Sequence, residues 1–158
     1  MKFDFNIPMC PAHAVLHADD LVFFYYDIGQ DVLSSFPSGY DWNINVQEFN
    51  DKVEFFTYKS TYYIDDKFED NVIRFKIADN KKEQPCEAFF RHLRNAFSHY
   101  RISRQGEWYF IKDINDKTSN LTMIGKVKAE ILKDFCFRFF DQREQFLNQL
   151  DELNNPQL

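Results

Sequence analysis

Glycine, proline and cysteine are all scarce in this sequence, and the motifs that depend on them are missing. The 158 residues include four glycines, five prolines and three cysteines. Neither GxGxxG nor GxxxxGK occurs, so the sequence offers no glycine-rich loop for the phosphates of a nucleotide. There is no CxxC pair, and three widely spaced cysteines (Cys10, Cys86 and Cys136) favour reduced thiols in an intracellular setting over a disulfide framework.

Long apolar runs and an excess of basic charge are missing too. No stretch approaches the ~20 consecutive apolar residues that a membrane-spanning helix needs, and the first residues lack the apolar core of a signal peptide. We therefore expect a cytoplasmic protein without a membrane partner. The net charge of −6 argues against general coating of nucleic acid, which needs a basic domain, but leaves room for a local basic site.

Aromatic residues are abundant, and their spacing predicts helices. Nineteen phenylalanines and a hydrophobic fraction of 44 % indicate one folded domain that spans residues 1–158. The apolar residues recur at helical intervals in four segments, which predicts a mainly α protein built as a bundle of four or five helices. These segments are residues 11–36, 46–64, 85–100 and 121–150.

Two segments carry signs of β structure. Residues 101–113 contain a glycine turn followed by β-prone residues, which predicts a small β-hairpin insert before the long C-terminal helix. Residues 65–84 are ambiguous. Alternation of Ile73, Phe75 and Ile77 with charged residues favours a short strand, but the spacing of the apolar residues equally fits a helical face, and we expect a helix.

Residues 89–104, FFRHLRNAFSHYRISR, form a basic island in an acidic chain. They hold four of the seven arginines and two of the four histidines, and no carboxylate. On a helical wheel the apolar residues share one side. The other side carries cationic, titratable and small polar groups: Arg91, His92, Arg94, Asn95, Ser98 and His99.

Arg94, Asn95 and His99 form the candidate catalytic set on that polar side. RNA cleavage without a metal needs a base for the ribose 2′-hydroxyl and a cation for the phosphate, tasks that suit histidine and arginine. Asn95 and His99 lie four residues apart, so the amide could orient the imidazole. Arg94 and His99 diverge by about 140° around the helix. This divergence predicts that a single copy forms only a loose site, which a second copy from a partner chain could close.

This motif and its surroundings resemble the HEPN superfamily, whose ribonucleases carry arginine, a polar residue that is often asparagine, a short spacer and histidine. Arg94, Asn95, the spacer Ala96-Phe97-Ser98 and His99 match that pattern. The similarity extends over residues 86–140, through FRHLRNAFSHYRI, the β-prone EWYFIKD and LTMIGKVKAEILKDF.

The resemblance implies a helical bundle that dimerises with two motifs facing one cleft. It also implies a metal-independent endoribonuclease that needs no cofactor and leaves a 2′,3′-cyclic phosphate. Small plasmid- and prophage-type members often act as toxins or in defence against phage, and a toxin would have a protein inhibitor as partner. Many members have a small residue after the histidine, where this chain has Tyr100. The wheel places Tyr100 on the core side, which predicts that the helix continues past His99.

Other interpretations of the basic island remain open. Arg91, His92, Arg101 and Arg104 are candidate contacts to RNA phosphates, and equally ordinary surface charges. His92 is also a candidate second proton-transfer group. The Arg-to-His spacing arises easily by chance, so the same fold could serve as a non-catalytic interaction module or nucleic-acid-binding module.

A metal site near the start of the chain is the third alternative. His13 and His17 lie four residues apart, and Cys10 or Asp20 could add a third ligand. No fourth ligand is evident, so we expect exposed histidines and no metal at this position.

Overall fold

A five-stranded sheet organises the parts of the chain that the computed structural model describes, residues 16–29, 52–78 and 83–154. Its strands are β1 (Glu54–Lys59), β2 (Val72–Ile77), β3 (Ile102–Gln105), β4 (Trp108–Ile114) and β5 (Leu121–Lys128). They lie in the order β1-β2-β5-β4-β3, with β1 and β2 parallel and all other neighbours antiparallel. The helices are α1 (Ala18–Val22), which continues into a π-helical turn (Phe23–Ile28, the π-turn), α2 (Pro85–Ser98) and α3 (Ala129–Asn154).

This mixed sheet makes the prediction of a mainly α bundle of four or five helices wrong. The β3–β4 hairpin is present where it was predicted, but it forms one edge of the sheet instead of a small insert. The expected helix over residues 46–64 is wrong where the structure describes it, because β1 lies there. The expected helix within residues 65–84 is also wrong, and the alternative strand over Ile73, Phe75 and Ile77 is correct.

The last predicted helix starts too early, because two periodicities coincide in one segment. Residues 121, 124 and 127 fit a helical face, but every second residue from Leu121 through Met123 and Gly125 to Val127 is buried, as in a strand. A Cβ on Gly125 would lie 3.1 Å from a side-chain carbon of Ile73 on β2. Residues 121–128 therefore form the central strand β5, and α3 begins only at Ala129.

Helices cover one face of the sheet through a core rich in phenylalanine. The ring of Phe89 on α2 lies 5.7 Å from Phe75 of β2 and 5.9 Å from Phe135 of α3. Cys86 and Cys136 are free thiols in this core. Burial raises the pKa of Cys86 to about 12, so this thiol stays protonated and unreactive at neutral pH.

The connection between β1 and β2 covers the opposite face of the sheet. Phe68 from this connection packs edge-on against Phe110 of β4 at 5.1 Å. Asp66 pairs with the almost fully buried Lys112 at 2.6 Å. A helix that spans a bilayer has to be long and apolar at once, and no helix in the described ranges combines the two properties.

Candidate functional site

The candidate catalytic set lies where α2 ends. The amide of Tyr100 donates to the carbonyl of Phe97 at 3.1 Å, and the amide of Arg101 donates to the carbonyl of Ala96 at 2.8 Å. These bonds form a Schellman cap, in which Tyr100 takes the left-handed conformation with φ of 59°. The helix therefore stops at His99 and does not continue past it as predicted. Tyr100 is 50 % exposed and does not lie on the core side.

Arg94, Asn95 and His99 keep their side chains available. Arg94 and His99 are exposed and Asn95 is half-buried. Within the described ranges, none of the three side chains has a hydrogen bond or an ion pair, including one between Asn95 and His99. The amide of His99 donates to the carbonyl of Asn95 at 3.0 Å, so these two residues stack one turn apart. Arg94 projects from another side of the helix.

Arg91 and Arg101 have partners of their own. Arg91 forms a two-point ion pair with Glu83, with nitrogen–oxygen distances of 2.7 and 2.9 Å. Burial alone would raise the pKa of Glu83, but the hydrogen bonds from Arg91 and the Ala78 amide, together with the charge of Arg91, outweigh burial and lower it. The guanidinium of Arg101 reaches Asp116 and a backbone carbonyl, at 3.5 Å each. Neither arginine is as available to a phosphate as Arg94.

His92 is a structural residue, with 1 % of its surface exposed. Its Nδ1 lies 2.7 Å from a carboxylate oxygen of Asp113, and its Nε2 lies 2.7 Å from the carbonyl of Lys76. Both partners are oxygen atoms that accept hydrogen bonds from the ring. His92 thus ties α2 to β2 and β4. Its burial gives no support to a role in RNA contact or proton transfer.

Arg104 belongs to a buried charge cluster around Asp20. The carboxylate of Asp20 is fully buried and accepts hydrogen bonds from Arg104 at 2.9 and 3.0 Å, Lys133 at 2.8 Å, the His17 amide at 2.9 Å and the Tyr109 hydroxyl. Burial alone would raise the pKa of Asp20, but the hydrogen bonds from Lys133, Tyr109 and the His17 amide outweigh burial and lower it. Burial and the bond to Asp20 raise the pKa of Tyr109, which keeps the hydroxyl a donor.

The same cluster contains part of the metal site that the sequence left open. His17, Asp19 and Asp20 place one potential ligand atom each within 4.8 Å of one another. The ammonium of Lys133 already bonds both carboxylates, at 3.2 Å to Asp19 and 2.8 Å to Asp20. The positive charge that a metal would supply is therefore present as lysine. Cys10 and His13 lie outside the described residues.

A cavity of about 400 Å³ opens between the π-turn and the end of α2. Arg94 is the one charged residue among those described that line it, and His99 does not line it. Phe24 and Phe97 stack within it, with ring centroids 5.6 Å apart. The described residues that line it are Phe24, Tyr25, Gly29, Arg94, Phe97, Ser98 and Tyr100.

The π-turn that carries Tyr25 into this lining needs a glycine where it ends. A Cβ on Gly29 would lie only 2.5 Å from the carbonyl oxygen of Tyr25, a distance that real side chains do not tolerate. The helical pattern of residues 11–36 indicated only that Gly29 breaks or bends the helix, and it gave no role to Tyr25. The available sign was the tyrosine pair at positions 25 and 26 inside an otherwise core-facing helix pattern.

Comparison with models of protein families shows which family the chain belongs to. The model of the family HEPN pEK499 p136 matches residues 30–149, which is 120 of the 158 residues. The chain belongs to this HEPN family. The resemblance inferred from residues 86–140 is thereby confirmed. Searches of curated proteins and of solved structures each returned no match.

HEPN membership suggests a nuclease-type or nucleotide-binding function. In this HEPN protein, the motif that resembles the HEPN ribonuclease pattern falls on Arg94, Asn95 and His99, whose side chains have no partner in the described ranges. The family match extends well beyond the motif, so the arginine-to-histidine spacing is not an isolated chance pattern.

The left-handed cap residue Tyr100 gives a first test of this geometry. Tyr100→Gly is expected to raise the free energy of unfolding by about 0.5–1 kcal/mol, because glycine adopts a positive φ without the steric penalty of a Cβ. Chemical denaturation measures the change. Tyr26→Gly, in the π-turn, is the control and should lower stability by about 1 kcal/mol. A loss of stability in Tyr100→Gly would contradict the strained cap.

Proposed function

We propose that this HEPN protein is a metal-independent endoribonuclease. His99 acts as a general base or acid, Arg94 holds the scissile phosphate and Asn95 assists in positioning. The base removes the proton of a ribose 2′-hydroxyl, whose oxygen attacks the adjacent phosphorus. The new P–O2′ bond replaces the P–O5′ bond, and the departing 5′-oxygen takes up a proton. The products are a 2′,3′-cyclic phosphate and a 5′-hydroxyl end.

The observation that carries this proposal is the contrast within the basic island. Four side chains of the island are engaged within the fold by contacts with carboxylates: Arg91 with Glu83, His92 with Asp113, Arg101 with Asp116 and Arg104 with Asp20. Arg94, Asn95 and His99 have no such partner in the described ranges. Polar groups that the fold does not use, gathered at one helix end in a nuclease-type family, support a role toward a ligand.

A site shared by two copies fits the positions of Arg94 and His99 better than a site within one chain. The two residues diverge by about 140° around α2, and the cavity beside α2 takes in Arg94 but not His99. A two-fold axis close to the end of α2 would bring Arg94 of one copy opposite the His99 of the other, and the reverse arrangement would form a second site. We therefore include homodimerisation in the proposal.

Cleavage of mixed RNA in the presence of a chelator tests the proposed chemistry. We expect cleavage to continue in EDTA and its products to end in 2′,3′-cyclic phosphate and 5′-hydroxyl groups, identified by mass spectrometry. The reason is that histidine and arginine supply the proton transfer and the charge that other nucleases take from metal ions. Cleavage that stops in EDTA would contradict the proposal.

Binding without cleavage is the second candidate function, and the cavity favours it. Aromatic rings beside an arginine suit nucleotides whether or not a bond is broken. RNA that is retained by the protein but stays intact under all conditions would move the assignment to this function.

A further inference from the structure

We propose that the cavity beside Arg94 is a base-stacking subsite, which takes an unpaired nucleobase against Tyr25 and Tyr100 while Arg94 holds the adjoining phosphate. The inference rests on the proposed function for the identity of the ligand, RNA. It adds where the ligand sits and which RNA is accepted. Bases in a duplex are already paired and stacked, so the subsite selects single-stranded segments.

The aromatic lining supplies the first argument. Tyr25 and Tyr100 are 51 % and 50 % exposed, so both rings present surface that the core does not use. Nucleobases stack on such rings with little dependence on sequence, because every base has a π-face. The volume of about 400 Å³ lies within the range of roughly 300–1,000 Å³ that small-molecule sites occupy.

The charge of the lining supplies the second argument. Among the described residues, Arg94 has no carboxylate partner and no carboxylate lines the cavity. The hydroxyl of Ser98, one turn along the same helix side, adds a neutral donor. A cation beside stacked aromatic surface matches a base with its phosphate better than it matches an apolar peptide or a lipid chain.

Two uncommon backbone features meet at this cavity, and they supply the third argument. Tyr25 is carried by a π-turn, a rare element that is frequent at functional sites. Tyr100 holds a left-handed conformation that costs a residue with a Cβ about 1–2 kcal/mol. Either feature alone would be a local irregularity. Together they place both exposed tyrosines in the lining of one cavity that also includes Arg94.

Binding measured apart from cleavage tests the subsite. The background is His99→Ala, which stops cleavage under the proposed function, and the probe is a short fluorescein-labelled RNA, either single-stranded or annealed to its complement. We expect Tyr25→Leu to weaken single-strand binding about tenfold by fluorescence anisotropy, because one stacked base is lost. Binding of the duplex should change less than twofold.

Tyr63→Leu is the matched control, because Tyr63 is 68 % exposed and does not line the cavity. It should leave the binding of both RNAs unchanged. Equal loss of single-strand and duplex binding in Tyr25→Leu, or no loss of either, overturns the subsite. Melting temperatures within about 2 °C of the parent confirm that the variants are folded, as expected for an exposed side chain.

A free nucleoside monophosphate carries the same base and phosphate chemistry, so AMP is included as a competitor. Competition by AMP only at concentrations far above that of the RNA assigns the subsite to RNA, and competition at equal concentration overturns that assignment in favour of free nucleotides. The outcomes distinguish a failure of the subsite from a failure of the proposed ribonuclease activity. Cleavage that is unaffected by Tyr25→Leu removes the subsite alone, whereas Tyr25-dependent binding to RNA that the wild-type protein never cleaves removes the ribonuclease alone.

Discussion

Two inactive variants are expected to recover RNA cleavage when they share a dimer. Arg94→Ala and His99→Ala should each lower the cleavage rate by about 10²–10⁴-fold, because each removes one partner of the proposed phosphate clamp and proton transfer. Co-expression of the two chains should restore about a quarter of the wild-type rate. Half of the randomly assorted dimers are then mixed, and each mixed dimer rebuilds one of its two sites from the intact Arg94 of one chain and the intact His99 of the other.

The controls separate a shared site from a site within one chain. If Arg94 and His99 acted together within one chain, every chain in the mixture would lack one of them and the mixture would stay inactive. Arg138→Ala serves as the matched arginine variant, since Arg138 is an exposed residue of α3 outside the cavity, and it should keep full activity. An inactive mixture whose dimers are verified by mass would contradict the two-chain site, and a monomer at assay concentration would do the same.

The parts of the structure that could be predicted from sequence are those set by local patterns. Pro85 opens α2 as expected, because the first helical position does not need an amide proton. The hairpin was predicted from its turn at Gln105–Gly106 and the β-prone residues that follow, and the pairing of β3 with β4 confirms it. The family was recognised from the motif at Arg94 and the surrounding pattern, and the family match confirms it.

The sheet could not be predicted in the same way, because its partners are distant in sequence. β2 is bonded to β5, about fifty residues further on, and β1 pairs with β2 in parallel. Within β1, aromatic residues and threonine fit a strand, but the spacing also suits a helix, and only the neighbouring strand decides between them. The many phenylalanines fit the helical period as well as the strand period. Segments considered one at a time were therefore predicted as helices.

Which arginines form ion pairs could not be predicted from the sequence either, because the fold brings each arginine to its partner. Asp20 and Arg104 lie 84 residues apart and still form a buried ion pair. The sequence pattern singled out Arg94 as the candidate phosphate clamp but left Arg91 and Arg104 open, as phosphate contacts or as ordinary surface charges. Only their tertiary partners show that Arg91 and Arg104 are engaged within the fold.

Asp20→Asn is expected to have the largest effect on stability, a loss of about 3 kcal/mol in the free energy of unfolding. The asparagine has nearly the same size, but it loses the negative charge and turns an amide group toward the donors of Arg104, Lys133 and Tyr109. The side chains of Arg104 and Lys133 are only 15 % and 20 % exposed, so water replaces the carboxylate only in part. The melting temperature should fall by about 6–12 °C.

Asp19→Asn is the matched control for this prediction, because it changes the neighbouring carboxylate, 74 % exposed, which also bonds Lys133. It should cost no more than about 1 kcal/mol.

The dependence on pH adds an independent check. The pKa of Asp20 is lowered in the folded protein, so its stabilisation is fully present above the unfolded value of about 3.9 and is lost as the pH falls through the lower folded value. The difference between wild type and Asp20→Asn should therefore be constant near neutral pH and shrink below about pH 4. Equal stability of the two proteins at pH 7 would show that the cluster around Asp20 does not hold α1 to β3 and α3.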